Sequence, residues 1–357
     1  MKRILVTDAG RGAGINFCRS IRLAPEKYEI IALESNPYSI MHADADRKFL
    51  SPNPEDACYI DFLKEVVDKE KIDFVYPSKT NESLWKISKH RDEIHATTFL
   101  PSDDKIKIYE NKFFTNELLK NNGIRVADTV LLRSTEDLLS FMNKYHKIWL
   151  RATIGCGGKG SISTDSYDFA KAWIDRYHGW GTFTASEVLT TRTATWSAIW
   201  NNGELVVSQI RERKYWEFSY LSPSGVTGIT GAQVTRKDSF IDNLAIECIK
   251  TIDPHPHGII SVDFCYDNEG IPNPTEIQAS RFFTSTYFMA VAGLNLPYIL
   301  LKTAFKESVE ISSKFSPLEE GLMWIKYVDC TPIFTTEKII EKNKKSFEKF
   351  LKSKGWN

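Results

Sequence analysis

Four short segments of this chain combine residue types that together handle phosphate and a divalent cation. The first runs Trp149-Leu150-Arg151-Ala152-Thr153-Ile154-Gly155-Cys156-Gly157-Gly158-Lys159-Gly160. An apolar strand delivers a cation, and a glycine-rich turn carrying a second cation follows. Glycine lets backbone N–H groups approach phosphate oxygens without a Cβ in the way. Arg151 and Lys159 would neutralise phosphate charge. Taken alone, the stretch also fits an ordinary tight turn. The second segment, Ser186-Glu187-Val188-Leu189, closes an apolar-aromatic strand. A hinge there would offer backbone groups to adenine and the Glu187 carboxylate to ribose hydroxyls; the plainer reading is a surface Glu at a strand end.

The third segment pairs Ser261-Val262-Asp263-Phe264 with Thr275-Glu276-Ile277-Gln278-Ala279-Ser280-Arg281. Strand alternation puts Glu276 and Gln278 on one face. Oxygen donors so arranged suit Mg²⁺, which takes near-octahedral oxygen ligation shared with nucleotide phosphates. Asp263 on the neighbouring strand would complete the set, and Arg281 would stabilise a transferring phosphoryl group. A solvated strand face is the alternative, weakened by the apolar residues around it. The fourth is Lys112 at a helix start, where the positive helix end would help a cation hold phosphate; a solvent-facing lysine fits that position equally.

These residues need a frame. Over residues 1–100, short β-branched runs (Ile4–Thr7, Ile30–Glu34, Phe74–Pro77) alternate with amphipathic stretches such as Ile15–Leu23. That pattern predicts a parallel sheet with crossover helices. Asn111 opens a helix that Asn122-Gly123 ends, and Ser134 caps another through Met142. Trp196–Trp200 and Glu204–Ser208 flank Asn202-Gly203, a type I′ hairpin signal. Ser222–Gly231 reads as a long loop. Ile259–Tyr266 and Pro274–Ile277 read as strands joined by a turn, and Pro297 opens a helix.

In this order, the segments resemble the ATP-grasp superfamily, within it the carbamoyl-phosphate-synthase-like branch, across residues 1–305. Arg151 matches the cation before that branch's glycine loop, and Gly157-Gly158 match its glycine pair. Lys112 matches an earlier basic residue, Glu187 and Leu189 the hinge motif, Glu276-Ile277-Gln278 the metal strand, and Arg281 the downstream arginine. Gln278 stands where Asn is usual, and Ala152 where Pro is. No carboxylate lies near Ala194-Thr195, where many relatives carry Glu.

The resemblance implies an α/β fold: a Rossmann-like pre-ATP-grasp domain (1–100), then a two-subdomain α+β ATP-grasp fold. Its parts are a small subdomain with the glycine loop (101–185), a subdomain with the metal strand (186–310) and a helical C-terminal extension (311–357). It further implies a ligase that activates a carboxylate or similar small acid as an acyl phosphate and couples it to an amine or other nucleophile, releasing ADP and phosphate. ATP and Mg²⁺ (or Mn²⁺) would be held by Lys112, Arg151, Cys156, Gly157, Gly158, Lys159, Glu187 and Leu189, with Asp263, Glu276 and Gln278 on the metal. Arg281, Lys159 and Arg151 would serve catalysis. Arg211, Arg213 and Gly12 are candidates for the acceptor substrate. A homodimer is expected from the superfamily. Gln278 and the missing carboxylate also fit an ATP-binding sensor without turnover.

The bulk properties agree. A chain of 357 residues predicts roughly two to three domains. Lys plus Arg equals Asp plus Glu at 46 each, which gives no support to a nucleic-acid or anionic-membrane partner. Six cysteines without a C-x-x-C pair argue against a disulfide framework or zinc site, and a cytoplasmic setting is expected. Gly10, Gly12 and Gly14 follow the first strand as G-x-G-x-G, not the dinucleotide spacing G-x-G-x-x-G, so an NAD-dependent oxidoreductase ranks below the ligase.

Overall fold

The structure is a computed structural model that describes residues 1–79, 82–155, 158, 160–226, 228–327 and 333–353. Its first layer is a parallel sheet of β1 (Lys2–Thr7), β2 (Tyr28–Glu34), β3 (Arg47–Leu50) and β4 (Phe74–Pro77), in the order β3-β2-β1-β4. Ile4, Leu5, Val6, Ile30 and Ile31 are fully buried, as expected for parallel strands covered on both faces. One face packs on α2 (Tyr59–Glu70) and α3 (Glu82–Lys89), the other on α1 (Gly12–Arg22).

Helices α4 (Asp103–Glu110) and α5 (Lys112–Asn121) follow. Asn111 caps α5 by accepting the Phe114 N–H at 3.1 Å. The next unit is a four-stranded antiparallel sheet of order β5-β8-β6-β7, made of β5 (Thr129–Leu132), β6 (Ile148–Ala152), β7 (Ile162–Thr164) and β8 (Phe183–Glu187). Its apolar face is closed by α6 (Thr135–Lys144) and α7 (Tyr167–Arg176). Ser134 and Asp137 form a capping box at the start of α6, satisfying two otherwise orphaned backbone donors.

The largest layer is a seven-stranded sheet of order β13-β12-β9-β10-β11-β14-β15. It comprises β9 (Thr193–Asn201), β10 (Glu204–Glu217), β11 (Ile229–Arg236), β12 (Gly258–Tyr266), β13 (Pro272–Ala279), β14 (Leu322–Ile325) and β15 (Ile333–Thr336). The β9–β10 hairpin turns at Asn202 (φ 48°) and Gly203 (φ 92°), the left-handed pair a type I′ turn requires. One face carries Trp196, Trp200, Ile210, Ile260, Val262 and Ile277, buried beneath α8 (Ser239–Ile252). Tyr109 and Leu119 join this core, so α4 and α5 pack on the large sheet although they precede the small one in sequence. The opposite face is apolar at one end, where Ile199, Val207 and Ile259 meet α9 (Thr286–Val291), α10 (Leu296–Ala304) and the first domain. The C-terminal stretch is not wholly helical: β14 and β15 extend the sheet before α11 (Glu337–Ser353). Among the described residues, no helix is long and apolar enough to cross a membrane.

Candidate functional site

Strand register defines the site. Residues directly opposite on antiparallel strands share a face. Glu276 lies opposite Asp263 and Gln278 opposite Ser261. Asp263 lies opposite Thr195 and Ser261 opposite Ser197. Thr195 lies opposite Arg211 and Thr193 opposite Arg213. Arg211 then meets Thr235, and Arg213 meets Gln233, which meets Trp324. A continuous polar band therefore crosses one face of the large sheet, acidic at β13 and basic from β10 onward.

At the acidic end, Gln278 donates to Glu276 Oε1 at 3.0 Å. The Gln278 amide oxygen is buried without a hydrogen-bond partner, an acceptor left over after internal bonds are made. Thr195 Oγ1 donates to Asp263 Oδ1. Among the described residues no group of three or more His, Cys, Asp or Glu is placed to hold a metal. Two carboxylates and one amide oxygen form a partial oxygen set, which fits a hard cation that takes its remaining ligands from phosphate and water.

Three elements bring cations to this end. Lys112, in the first turn of α5, donates from Nζ to the Gly155 carbonyl at 2.6 Å and lies 3.8 Å from Glu276 Oε1. Arg151, at the end of β6, donates from Nη2 to the Thr275 carbonyl at 2.8 Å, tying the small sheet to the large one. Its Nε is buried and unpartnered, and burial pulls its pKa down, opposed by Glu276. Gly155 (φ 131°) and Gly158 (φ 68°) adopt backbone angles that favour glycine. Cys156, Gly157 and Lys159 lie outside the described residues. Glu187 sits where β8 leaves the small sheet; its Oε1 accepts the Asp128 N–H at 2.8 Å. Leu189 follows, half-buried. Arg281 comes two residues after β13, beside Phe282, whose N–H donates to the Tyr76 hydroxyl at 2.8 Å.

At the basic end, Arg211 is 3% exposed and Gln233 fully buried. Arg211 Nη1 donates to Gln233 Oε1 at 3.0 Å, while Arg211 Nε and Gln233 Nε2 have no partner. Burial, then neighbouring Arg213, pushes the Arg211 guanidinium down to about 9, with Asp263 opposing. Arg213 lies 3.6 Å from the Trp216 ring centroid and donates to Thr230 Oγ1 at 3.1 Å. Arg211 lies 4.9 Å from the Phe283 centroid. Next to Phe283, Thr284 faces Gly12: a Cβ on Gly12 would come 3.1 Å from Thr284 Cγ2. The uncapped N-terminus of α1 therefore borders the same cleft.

No family model matches the chain, and no curated protein matches it in sequence. Solved structures do match. The biotin carboxylase domain of Hydrogenobacter thermophilus 2-oxoglutarate carboxylase, solved with MgADP, ADP and bicarbonate, superposes with TM-score 0.69 at 13% identity, over 91% of this chain and 73% of that one. N5-carboxyaminoimidazole synthetase from Staphylococcus aureus, complexed with ADP, gives 0.69 at 14% identity over 92% and 82%. L-amino acid ligase from Bacillus licheniformis gives 0.69 at 12% identity over 91% and 79%. The fold is the ATP-grasp fold.

Lys112, Arg151, Glu276 and Gln278 converge where the two antiparallel sheets meet like a pair of jaws. In the glycine turn at Gly10–Gly14, Gly10 and Gly14 are packed against protein backbone while Gly12 is exposed. A Cβ on Gly10 would lie 2.0 Å from the Ser39 carbonyl oxygen, and one on Gly14 2.7 Å from Ala9 Cα. These glycines accommodate close backbone packing.

Two residues of the cleft escape sequence reasoning. Glu110, at the last turn of α4, accepts from Trp85 Nε1 through Oε2, and its Oε1 is buried without a partner. Burial lifts its carboxyl to about 7, with Lys112 and Arg281 pulling down and Glu276 pushing up. Its position immediately before the Asn111 cap was the available signal. Lys326, just past β14, donates its backbone N–H to the Gly231 carbonyl at 2.8 Å. Burial and then the nearby Arg211 lower its pKa. No sequence signal marks it, because its place depends on pairing between strands some ninety residues apart.

Proposed function

We propose that the protein is an ATP-dependent ligase that activates a carboxylic acid as an acyl phosphate and couples it to an amine. The observation that carries this reading is the single polar face running from Glu276 to Arg213, acidic under one jaw and basic beyond it. MgATP would lie between the jaws, its phosphates held by Lys112 and Arg151. Glu276, Gln278 and Asp263 would hold Mg²⁺, whose charge offsets that of the phosphates. The unpartnered Gln278 oxygen and Arg151 Nε support that assignment.

The acid would approach from the side of Arg211, Arg213 and Gly12. Its carboxylate oxygen attacks the γ-phosphorus, the bond to the β,γ-bridging oxygen breaks, and ADP leaves. Arg281 would stabilise charge on the transferring phosphoryl group. The amine nitrogen then attacks the acyl carbon, inorganic phosphate leaves, and the nitrogen gives up a proton. No protein nucleophile is required: positioning and charge neutralisation carry the reaction.

The test is a thermal-shift titration with MgATP, MgADP and NAD⁺ on the wild type and on Glu276→Ala, followed by phosphate release against panels of acids and amines. Saturable, Mg²⁺-dependent stabilisation by adenine nucleotides, weakened in the variant, is expected. No response to either adenine nucleotide would overturn the assignment.

A further inference from the structure

The basic end of the polar face holds more positive charge than one carboxylate needs. Arg211 and Arg213 lie on β10, and Lys326 continues the face from β14, two residues beyond Trp324, the partner of Gln233. None of the three forms an ion pair among the described residues; Asp263 shares their face, in register with Arg211 through Thr195. Arg211 and Gln233 are buried, and each keeps a donor with no acceptor. Buried donors in that state mark a place where an acceptor is missing.

Position separates this cluster from the nucleotide end. Strands are spaced about 4.8 Å apart, so β10 lies ~14 Å from β13 and β14 lies ~24 Å from it. A phosphoryl group beside Glu276 is beyond the reach of Lys326. A carboxylate being phosphorylated must sit near that phosphoryl group, so the anion that Lys326 and Arg211 would hold is a different group.

We infer that the acid substrate carries a second anionic group, a carboxylate or a phosphate, bound by Arg211, Gln233 and Lys326 at the β14 side of the cleft. This inference rests on the ligase reading for which end of the acid reacts. An extended acid with two anionic groups would lie across the strands of the polar face, with its reactive carboxylate toward Asp263 and the metal end and its second anion toward Lys326.

The test uses the full chain at constant ionic strength with saturating MgADP, and measures dissociation constants for glutarate, 3-phosphoglycerate and butyrate by calorimetry. One added charge-assisted contact should be worth on the order of tenfold in affinity. At least one of glutarate and 3-phosphoglycerate is therefore expected to bind about tenfold tighter than butyrate. That preference should vanish in Lys326→Met and return in Lys326→Arg, with melting curves confirming that both variants fold. Glutarate and 3-phosphoglycerate, which differ in their second anionic group, distinguish a carboxylate pocket from a phosphate pocket. Equal affinity for butyrate, a preference that survives Lys326→Met, or no binding of any of the three would overturn the inference. MgADP binding is read separately on the same samples; its absence would sink the ligase reading and leave the anion preference to be judged alone.

Discussion

Glu110 offers a test of the cleft's electrostatics that needs no substrate. Its carboxyl is raised from the usual 4.5 to about 7, chiefly by burial. A shift of that size is worth ~3 kcal/mol at roughly 1.4 kcal/mol per pKa unit. The folded protein holds this proton better than the unfolded chain does. The resulting stability is fully present below the unfolded pKa and is lost as pH rises through about 7. Glu110→Gln removes the titration and keeps an acceptor for the Trp85 N–H. In chelator without nucleotide, the melting temperature of the wild type minus that of the variant should fall steadily from pH 5 to pH 8. At pH 8 the variant should be the more stable by about 4 °C, given roughly 1.3 °C per kcal/mol for a chain of this size. A variant no more stable than wild type at pH 8, or a difference that does not change with pH, would refute the reasoning.

Four further outcomes are expected. Arg151→Met should weaken MgADP binding by about tenfold or more, because a buried guanidinium with a free donor is removed; calorimetry with unchanged affinity would leave Arg151 only as a tie between the jaws. The Glu337 carboxyl is held at about 2 by its two-pronged pairing with Arg236 at 2.8 Å. The anchorage of α11 should therefore be complete above the usual 4.5 and loosen as pH falls toward about 2, visible as faster hydrogen exchange in α11 that Glu337→Gln shows already at pH 6. Gly14→Ala should destabilise by ~1–3 kcal/mol through backbone crowding at Ala9, measured by chemical denaturation. Asp242 accepts from Trp196 Nε1 at 2.7 Å in the core of the large sheet; Asp242→Ala should cost ~1–3 kcal/mol by stranding that donor, with nucleotide affinity kept.

Local chemistry was readable wherever one stretch of chain decides the outcome. Asn202-Gly203 specified its turn because left-handed angles admit few residues, and Asn111 specified a helix start because its side chain can cap one. Alternation along Glu276-Ile277-Gln278 placed both oxygens on one face without reference to any other strand. Long-range choices were less legible. The apolar period of Leu118 and Leu119 announces a buried face but does not say which sheet covers it, and α5 joined the large sheet. The run before α11 read as part of a helical tail, yet Leu322–Ile325 pairs with β11. Four apolar residues suit a strand or a helix equally, and only an open edge elsewhere decides. Lys326 was invisible for the same reason.

The β11 edge has one more consequence. Were β14 undocked, backbone N–H and C=O groups of Gly231, Gln233 and Thr235 would face outward, a template to which another chain could add a strand. The strand that seals this edge is followed directly by Lys326. Protection against self-association and completion of the anion pocket thus arrive in the same folding event. A small dianion bridging Arg211 and Lys326 would act as a pharmacological chaperone, delaying aggregation on heating at concentrations set by its affinity for the pocket.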